Sequence, residues 1–260
     1  MDGTMIELRN FSTGYGTRRL LEGVDADFAP GSLTALLGRN GAGKSTLLRA
    51  MAGLGEHEGL MKVGGRPTDE LDSREAARLL SFVSTERTRI TAMKCRDIVG
   101  MGRAPYTGWT GSLSENDRRI VGDALDAVGM SGFADRSSDT LSDGECQRLM
   151  IARALAQDTP AMLLDEPTSF LDLPNRYELC TLLRELAHSR GKCIIFSTHE
   201  LDIAIALSDR IALIDPPSLL CDDTEGMVAS GHIARLFDPD GRIPAELWNI
   251  RRPELEGPGR

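Results

Sequence analysis

Leu33-Thr-Ala-Leu-Leu-Gly38-Arg-Asn-Gly-Ala-Gly-Lys44-Ser45-Thr46 is the stretch on which the fold turns. An apolar run of strand length leads into glycine-rich residues that fit G-x-x-x-x-G-K-[ST]. A helical pattern over residues 44–52 follows and ends before Gly53, a natural left-handed C-cap. In that order of strand, loop and helix, backbone N–H groups converge on phosphate oxygens and the helix N-terminus favours the anion. Gly38, Asn40, Gly41, Gly43, Lys44, Ser45 and Thr46 are therefore candidate contacts to a nucleoside triphosphate. Lys44 adds positive charge, and the Ser45 hydroxyl can ligate Mg²⁺.

Working outward, short apolar runs recur at residues 79–83, 162–164, 194–196 and 211–214. Nearly continuous apolar character suits strands covered on both faces of a mostly parallel sheet. Helical patterns lie between them, such as residues 176–190, with Leu179, Leu182, Leu183 and Leu186 on one face before Gly191. The order is that of an α/β protein. Two regions break it. Residues 6–11 and 24–28 read as half-exposed strands with turn-forming Gly14 and Gly16 between them. Residues 87–157 read as a helical insertion, in which the 114–130 segment places Ile120, Val121, Ala124, Leu125 and Val128 on one face.

Composition narrows the function classes. The chain has 260 residues, with 30 Lys plus Arg against 39 Asp plus Glu, a net charge of −9. An acidic balance argues against nucleic acid as a main partner, because such binding rests on basic patches that neutralise phosphates. No stretch approaches the roughly 18 uninterrupted apolar residues of a spanning helix. The first ten residues lack the basic flank and apolar core of a secretion signal, so a cytoplasmic protein is expected. Five cysteines form no C-x-x-C pair and read as reduced thiols, and the four histidines lack metal-ligand spacing.

Two further motifs carry chemistry. Ala161-Met-Leu-Leu-Asp165-Glu166 is an apolar strand that delivers two carboxylates at its C-terminal end, where ligands of open α/β sheets collect. Alternation along a strand predicts that Asp165 faces the Mg²⁺ shell and Glu166 an attacking water. In Leu141-Ser-Asp-Gly-Glu145-Cys-Gln-Arg148, the Ser142-x-x-Glu145 spacing is a capping box that opens a helix running to Gln157.

Taken in chain order, these motifs resemble the ABC-type ATPase cassette over about residues 15–215. Residues 38–46 are similar to its Walker A motif, 141–145 to its signature and 161–166 to Walker B. Ser169-Phe-Leu-Asp172 is similar to the D-loop, and His199 after Phe196-Ser-Thr to the switch histidine. The resemblance implies an α/β fold: a P-loop RecA-like core, an N-terminal antiparallel β subdomain and an inserted helical subdomain. It divides the single domain 1–260 into a core with β subdomain (about 1–86 and 158–240), a helical signature subdomain (87–157) and a tail (241–260).

The resemblance also implies roles. Tyr15 would stack on adenine, Asp165 and Ser45 would hold Mg²⁺, and Glu166 and His199 would be catalytic. Ser142, Asp143, Gly144 and Glu145 would act in trans, because two cassettes pair head to tail and sandwich two ATP molecules, with Asp172 in the D-loop between them. Expected cofactors are ATP and Mg²⁺. Expected partners are a second copy of the chain, transmembrane permease subunits docking on residues 86–110 and, indirectly, a substrate-binding protein, with no nucleic acid. The chain would lie peripherally on the cytoplasmic face of the cell membrane. The wording around the motifs is similar to that of the ATPases of iron-siderophore, haem and cobalamin importers, in Gly100-Met-Gly-Arg-Ala-Pro-Tyr106 and Phe170-Leu-Asp-Leu-Pro174 among others.

The sequence departs from the family pattern twice. The signature carries Asp143 and Glu145 where Gly and Gln are usual, and Glu145 is expected to turn away into its capping box. The segment after strand 79–83 has no glutamine, so Thr85 or Glu86 must occupy the Q-loop position. A soluble ABC ATPase without a transport role, and an ATP-binding regulatory module with impaired hydrolysis, are the alternatives.

Overall fold

The computed structural model describes residues 3–16, 18–85, 92–169, 171–238 and 240. It opens with an antiparallel hairpin, β1 (Ile6–Tyr15) and β2 (Arg18–Phe28), followed by β3 (Ser32–Gly38) and helix α1 (Lys44–Met51). Strands β4 (His57–Val63) and β5 (Arg66–Pro67), helix α2 (Ser73–Leu79) and strand β6 (Leu80–Val83) come next. Helices α3 (Cys95–Gly100), α4 (Glu115–Ala127) and α5 (Asp143–Ala156) then separate β6 from β7 (Ala161–Leu164). The chain closes with α6 (Leu173–Arg190), β8 (Cys193–Ser197), α7 (Leu201–Leu207), β9 (Arg210–Asp215), β10 (Ser218–Asp223), α8 (Thr224–Ala229) and α9 (His232–Phe237).

These strands make two sheets. The central sheet runs β10-β9-β3-β8-β7-β6, parallel throughout except for the antiparallel edge strand β10. Its strands read as continuous apolar runs because both faces are covered. Leu33, Ala35 and Leu37 of β3 pack with Ile194 and Phe196 of β8 and Met162 and Leu164 of β7 on the side of the helical bundle. Leu36, Ile195 and Leu163 point the other way, into a second core shared with the hairpin and α1. The second sheet, β2-β1-β4-β5, is the expected antiparallel subdomain.

The structure corrects several expectations. The hairpin strands run longer than 6–11 and 24–28, and Gly14 is not a turn residue but pairs with Arg19. A Cβ on Gly14 would lie 2.2 Å from the Arg18 carbonyl oxygen, so the glycine is needed for a close strand approach. Residue 79 ends α2, which the capping box of Asp72 and Glu75 opens and which runs directly into β6. Helix α6 begins at Leu173 rather than 176, because Asp172 caps it and Pro174 is tolerated in a first turn. Helix α4 stops at Ala127, ahead of left-handed Gly129, rather than at 130. Strands β4, β5 and β10 and helices α2 and α8 had no counterpart in the sequence reading, since each is short or half-exposed and lacks a strong period. Ile233 is buried and Leu236 and Phe237 pack against the same core through α9, as their spacing suggested. Trp248 and the tail lie outside the described residues.

Candidate functional site

Strands β3, β8 and β7 are neighbours, and the C-terminal ends of all three meet at one place. Gly38 closes β3, Ser197 closes β8 and Asp165 follows β7. In register, Leu164 lies opposite Phe196 and Leu36 opposite Ser197, so the residues just beyond these pairs are brought together. Side chains at such a sheet end can serve a ligand.

The loop between β3 and α1 is shaped by Gly41 (φ 77°) and Gly43 (φ 107°). A Cβ on Gly43 would also meet Leu20 at 3.0 Å, so any side chain there is strained. Gly43 stands at the N-cap of α1, and no side chain caps that helix end. Lys44 is only 7% exposed, and its Nζ donates to the Gly38 carbonyl at 3.0 Å. Burial lowers the Lys44 pKa, while Glu166 and Asp165 act in the opposite direction and favour the charge. Asn40, Gly41 and Ser45 are exposed and Thr46 is half-buried.

A chain of hydroxyls and carboxylates extends from this loop. Ser45 Oγ donates to Asp165 Oδ1 at 3.0 Å, and Ser197 Oγ donates to the same oxygen at 2.6 Å. Ser197 Oγ also accepts the Glu166 backbone N–H at 2.8 Å. Thr85 Oγ1 donates to the Asp165 carbonyl at 2.9 Å, so one of the two Q-loop candidates braces this turn. The other, Glu86, lies outside the described residues, as does part of the 86–110 segment. Ser169 Oγ donates to the Glu166 carbonyl at 2.8 Å and to its Oε2 at 3.2 Å.

Strand alternation, from which different facings were expected for Asp165 and Glu166, does not reach these two residues. Strand β7 ends at Leu164, so neither carboxylate is a strand residue. Glu166 instead adopts φ +46°, a left-handed conformation that costs a non-glycine residue about 1–3 kcal/mol, while Asp165 before it is buried. His199 follows β8 with its side chain 54% exposed, and its Nδ1 lies 3.8 Å from Glu166 Oε1. That separation permits ion pairing with a protonated ring but is too long for a hydrogen bond.

The remaining candidates sit on other elements. Tyr15 ends β1 and is 82% exposed, a ring presented to solvent beside the hairpin turn. Asp172 caps α6 by accepting the Asn175 N–H at 3.3 Å. Ser142 caps α5: its Oγ accepts the Glu145 N–H at 3.3 Å, and Glu145 Oε2 accepts the Ser142 N–H at 2.7 Å. Glu145 is thus turned back into the expected box, and the Ser142 backbone N–H holds its carboxyl below the usual range. Gly144 packs so closely that a Cβ would lie 3.0 Å from Leu171 Cδ2.

Residues 21–169, the span that contains the phosphate loop, the Ser142–Glu145 box and the Asp165–Glu166 turn, match the family described as ABC transporter. The chain belongs to the ABC transporter family. Among relatives of this cassette, the achromobactin transport ATP-binding protein CbrD of Dickeya dadantii is 36% identical over 81% of this chain and 79% of its own length. The iron(3+)-hydroxamate import ATP-binding protein FhuC of Bacillus subtilis is 32% identical over 88% and 86%. Others are named for hemin or cobalamin import. A solved ATP-binding cassette, dimeric in a post-hydrolysis state with ADP and Pi, superposes with a TM-score of 0.74 at 26% identity, covering 85% of this chain and 99% of that one.

The sequence motifs assign no role to Ser197, or to Ser169 beyond its place in the D-loop stretch, yet Ser197 donates to the Asp165 carboxylate and Ser169 to that of Glu166. The only signal for Ser197 was a lone serine directly after the apolar run Ile194-Ile-Phe196.

Proposed function

We propose that this ABC cassette is the ATP-hydrolysing subunit of an importer that takes up an iron complex, siderophore or haem, or cobalamin through separate membrane subunits. The observation that carries the enzymatic part is the Ser45–Asp165–Ser197–Glu166 hydrogen-bonded chain beside buried Lys44. The transport part is supported by the import names of its relatives. No helix among the described residues is long and apolar enough to cross a membrane, so passage of the solute is assigned to permease subunits. The cassette then sits on the cytoplasmic face, and a substrate-binding protein delivers the solute from the other side.

The loop glycines aim N–H groups, and Lys44 its ammonium, at the β- and γ-phosphates, while Tyr15 stacks on adenine. Ser45 Oγ and Asp165 Oδ1, 3.0 Å apart, form an all-oxygen donor pair that suits Mg²⁺, which keeps waters and substrate phosphates as its other ligands. Bound there, the ion would neutralise charge on the phosphates. Glu166, held by Ser197 and Ser169, accepts a proton from the attacking water, and His199 orients that water or the γ-phosphate. The signature of a second copy, Ser142 to Glu145, supplies a helix N-terminus across the γ-phosphate, and loss of that phosphate opens the pair. Thr85 and Asp172 act from the surrounding loops.

The deciding experiment is light scattering of Glu166→Gln with and without Mg-ATP. The substitution keeps shape and removes the base, so turnover should fall by about 10²–10⁴ while the molar mass doubles with ATP. A variant that binds ATP yet stays monomeric sinks the self-paired sandwich; parent-level turnover sinks the role of Glu166.

A further inference from the structure

We propose that Arg176 is a positioning residue for hydrolysis, its guanidinium tying the D-loop to the segment that carries His199. Arg176 stands in the first turn of α6. Its Nε donates to the Leu171 carbonyl at 2.6 Å, one residue before Asp172. Its Nη1 donates to the Glu200 carboxylate at 2.5 Å, one residue after His199. One planar side chain therefore grips both loops at once, a task for which the fixed fork of a guanidinium is suited.

The Glu200 end of this tie is in a place where it must hold. The Glu200 side chain is only 9% exposed, and its Oε2 is buried with no hydrogen-bond partner. A buried carboxylate with one cationic partner resists separation from it, because the charge left behind would sit uncompensated in a poorly polarisable surrounding. The charge is felt nearby: the Cys180 thiol is pushed up to about 12, first by burial and then by Glu200.

The backbone around His199 is fixed on its other side as well. The Thr198 N–H donates to the Leu36 carbonyl of β3 at 3.2 Å, and the Glu200 N–H donates to Thr198 Oγ1 at 3.1 Å. His199 is thus strung between a residue pinned to the central sheet and one pinned to α6. From the opposite direction, Arg148 of α5 donates to Asn175 Oδ1 at 2.8 Å, and the Asn175 N–H donates to Asp172. The first turn of α6 therefore joins the signature helix to the His199 segment. Movement of the D-loop when a second copy docks would be passed through Arg176 to a ring whose Nδ1 stands 3.8 Å from Glu166 Oε1.

The inference rests on the functional reading above for the role of His199, and two independent readouts test it on the full chain. In steady-state hydrolysis, Arg176→Ala and Glu200→Gln should each lower kcat by about 10- to 100-fold, the scale expected when a catalytic group is displaced by an ångström. The affinity for Mg-ATP should stay within about threefold, since neither residue touches the phosphate loop. The double variant should lose no more than the worse single variant, because the two substitutions break one tie. Arg176→Lys should recover part of the rate by keeping the charge beside Glu200.

The second readout is amide hydrogen exchange, which needs no turnover. Glu200→Gln should speed exchange at residues 171–173, and Arg176→Ala at residues 198–201, each far in sequence from its substitution. A kcat within about twofold of the parent, additive losses in the double variant, or exchange changes confined to the substituted segment would overturn the proposal. If Arg176→Ala does not fold, isosteric Glu200→Gln carries the same test. A parent chain that fails to hydrolyse ATP overturns the functional reading instead, while the exchange experiment still decides whether the tie exists.

Discussion

Helices α1 and α5 each present an N-terminus to phosphate in the proposed mechanism, yet the chain finishes those two ends in opposite ways. At α1 the cap is Gly43 in a left-handed conformation, with no side chain on the first-turn N–H groups. At α5 the cap is Ser142, and Glu145 closes a reciprocal box over it. An open end leaves donors for a ligand that approaches to contact distance; a capped end stabilises the helix by itself and offers mainly its dipole and the remaining N–H groups. Within the proposed mechanism, this difference would let the signature carry Glu145. Glu145 spends its charge on the Ser142 N–H of its own helix, and that same bond keeps its carboxyl ionised to lower pH.

The comparison can be broken most severely at the open end. Lys44→Ala removes the buried cation beside the Gly38 carbonyl, and hydrolysis should fall by about 10²–10³-fold or more, as for loss of a preorganised electrostatic group. Parent-level turnover and ATP affinity in that variant would reject the phosphate-loop assignment. At the closed end the effect should be one of stability: Ser142→Ala should cost about 0.5–2 kcal/mol in urea unfolding, the usual range for a lost N-cap. A variant as stable as the parent would mean that the cap is not what holds α5.

The smallest effect sharpens the contrast through pH. A carboxyl whose pKa is depressed in the folded state adds stability that is present above its unfolded value and lost as pH falls through the folded one. Glu145 is such a group. Glu145→Gln can still cap but cannot titrate, so the parent's advantage over the variant should shrink as pH drops below about 4.3, the ordinary glutamate value. A melting-temperature difference that does not change between pH 7 and pH 3 would remove the box from the account of this signature.

Features confined to a few consecutive residues are legible in the sequence. The glycine-rich loop, the Ser142–Glu145 box and the Asp165–Glu166 pair at the end of an apolar run all depend on spacings of one to eight residues. The second sheet was half read, because residues 6–9 of β1 and 24–28 of β2 alternate clearly whereas β4 is mostly half-exposed or exposed and β5 has two residues. Ser197 escaped notice because its partner Asp165 is 32 residues away, and no local pattern marks a serine that two parallel strands will bring to a carboxylate. Arg176 and Glu200, 24 residues apart, met for the same reason.

By itself the sequence determined the α/β order, the glycine-rich loop and the helix caps, because glycine conformations, capping and apolar periodicity act over a few residues and leave their mark in consecutive letters, and its motifs in chain order carried the family resemblance. Tertiary structure decided how these features are brought together. The adjacency of β3, β8 and β7 brings Ser197 to both the Asp165 carboxylate and the Glu166 backbone N–H, and Glu166 takes a left-handed conformation beyond β7 instead of continuing the strand. Such geometry follows from which strands become neighbours, and that depends on how the whole chain buries its apolar faces.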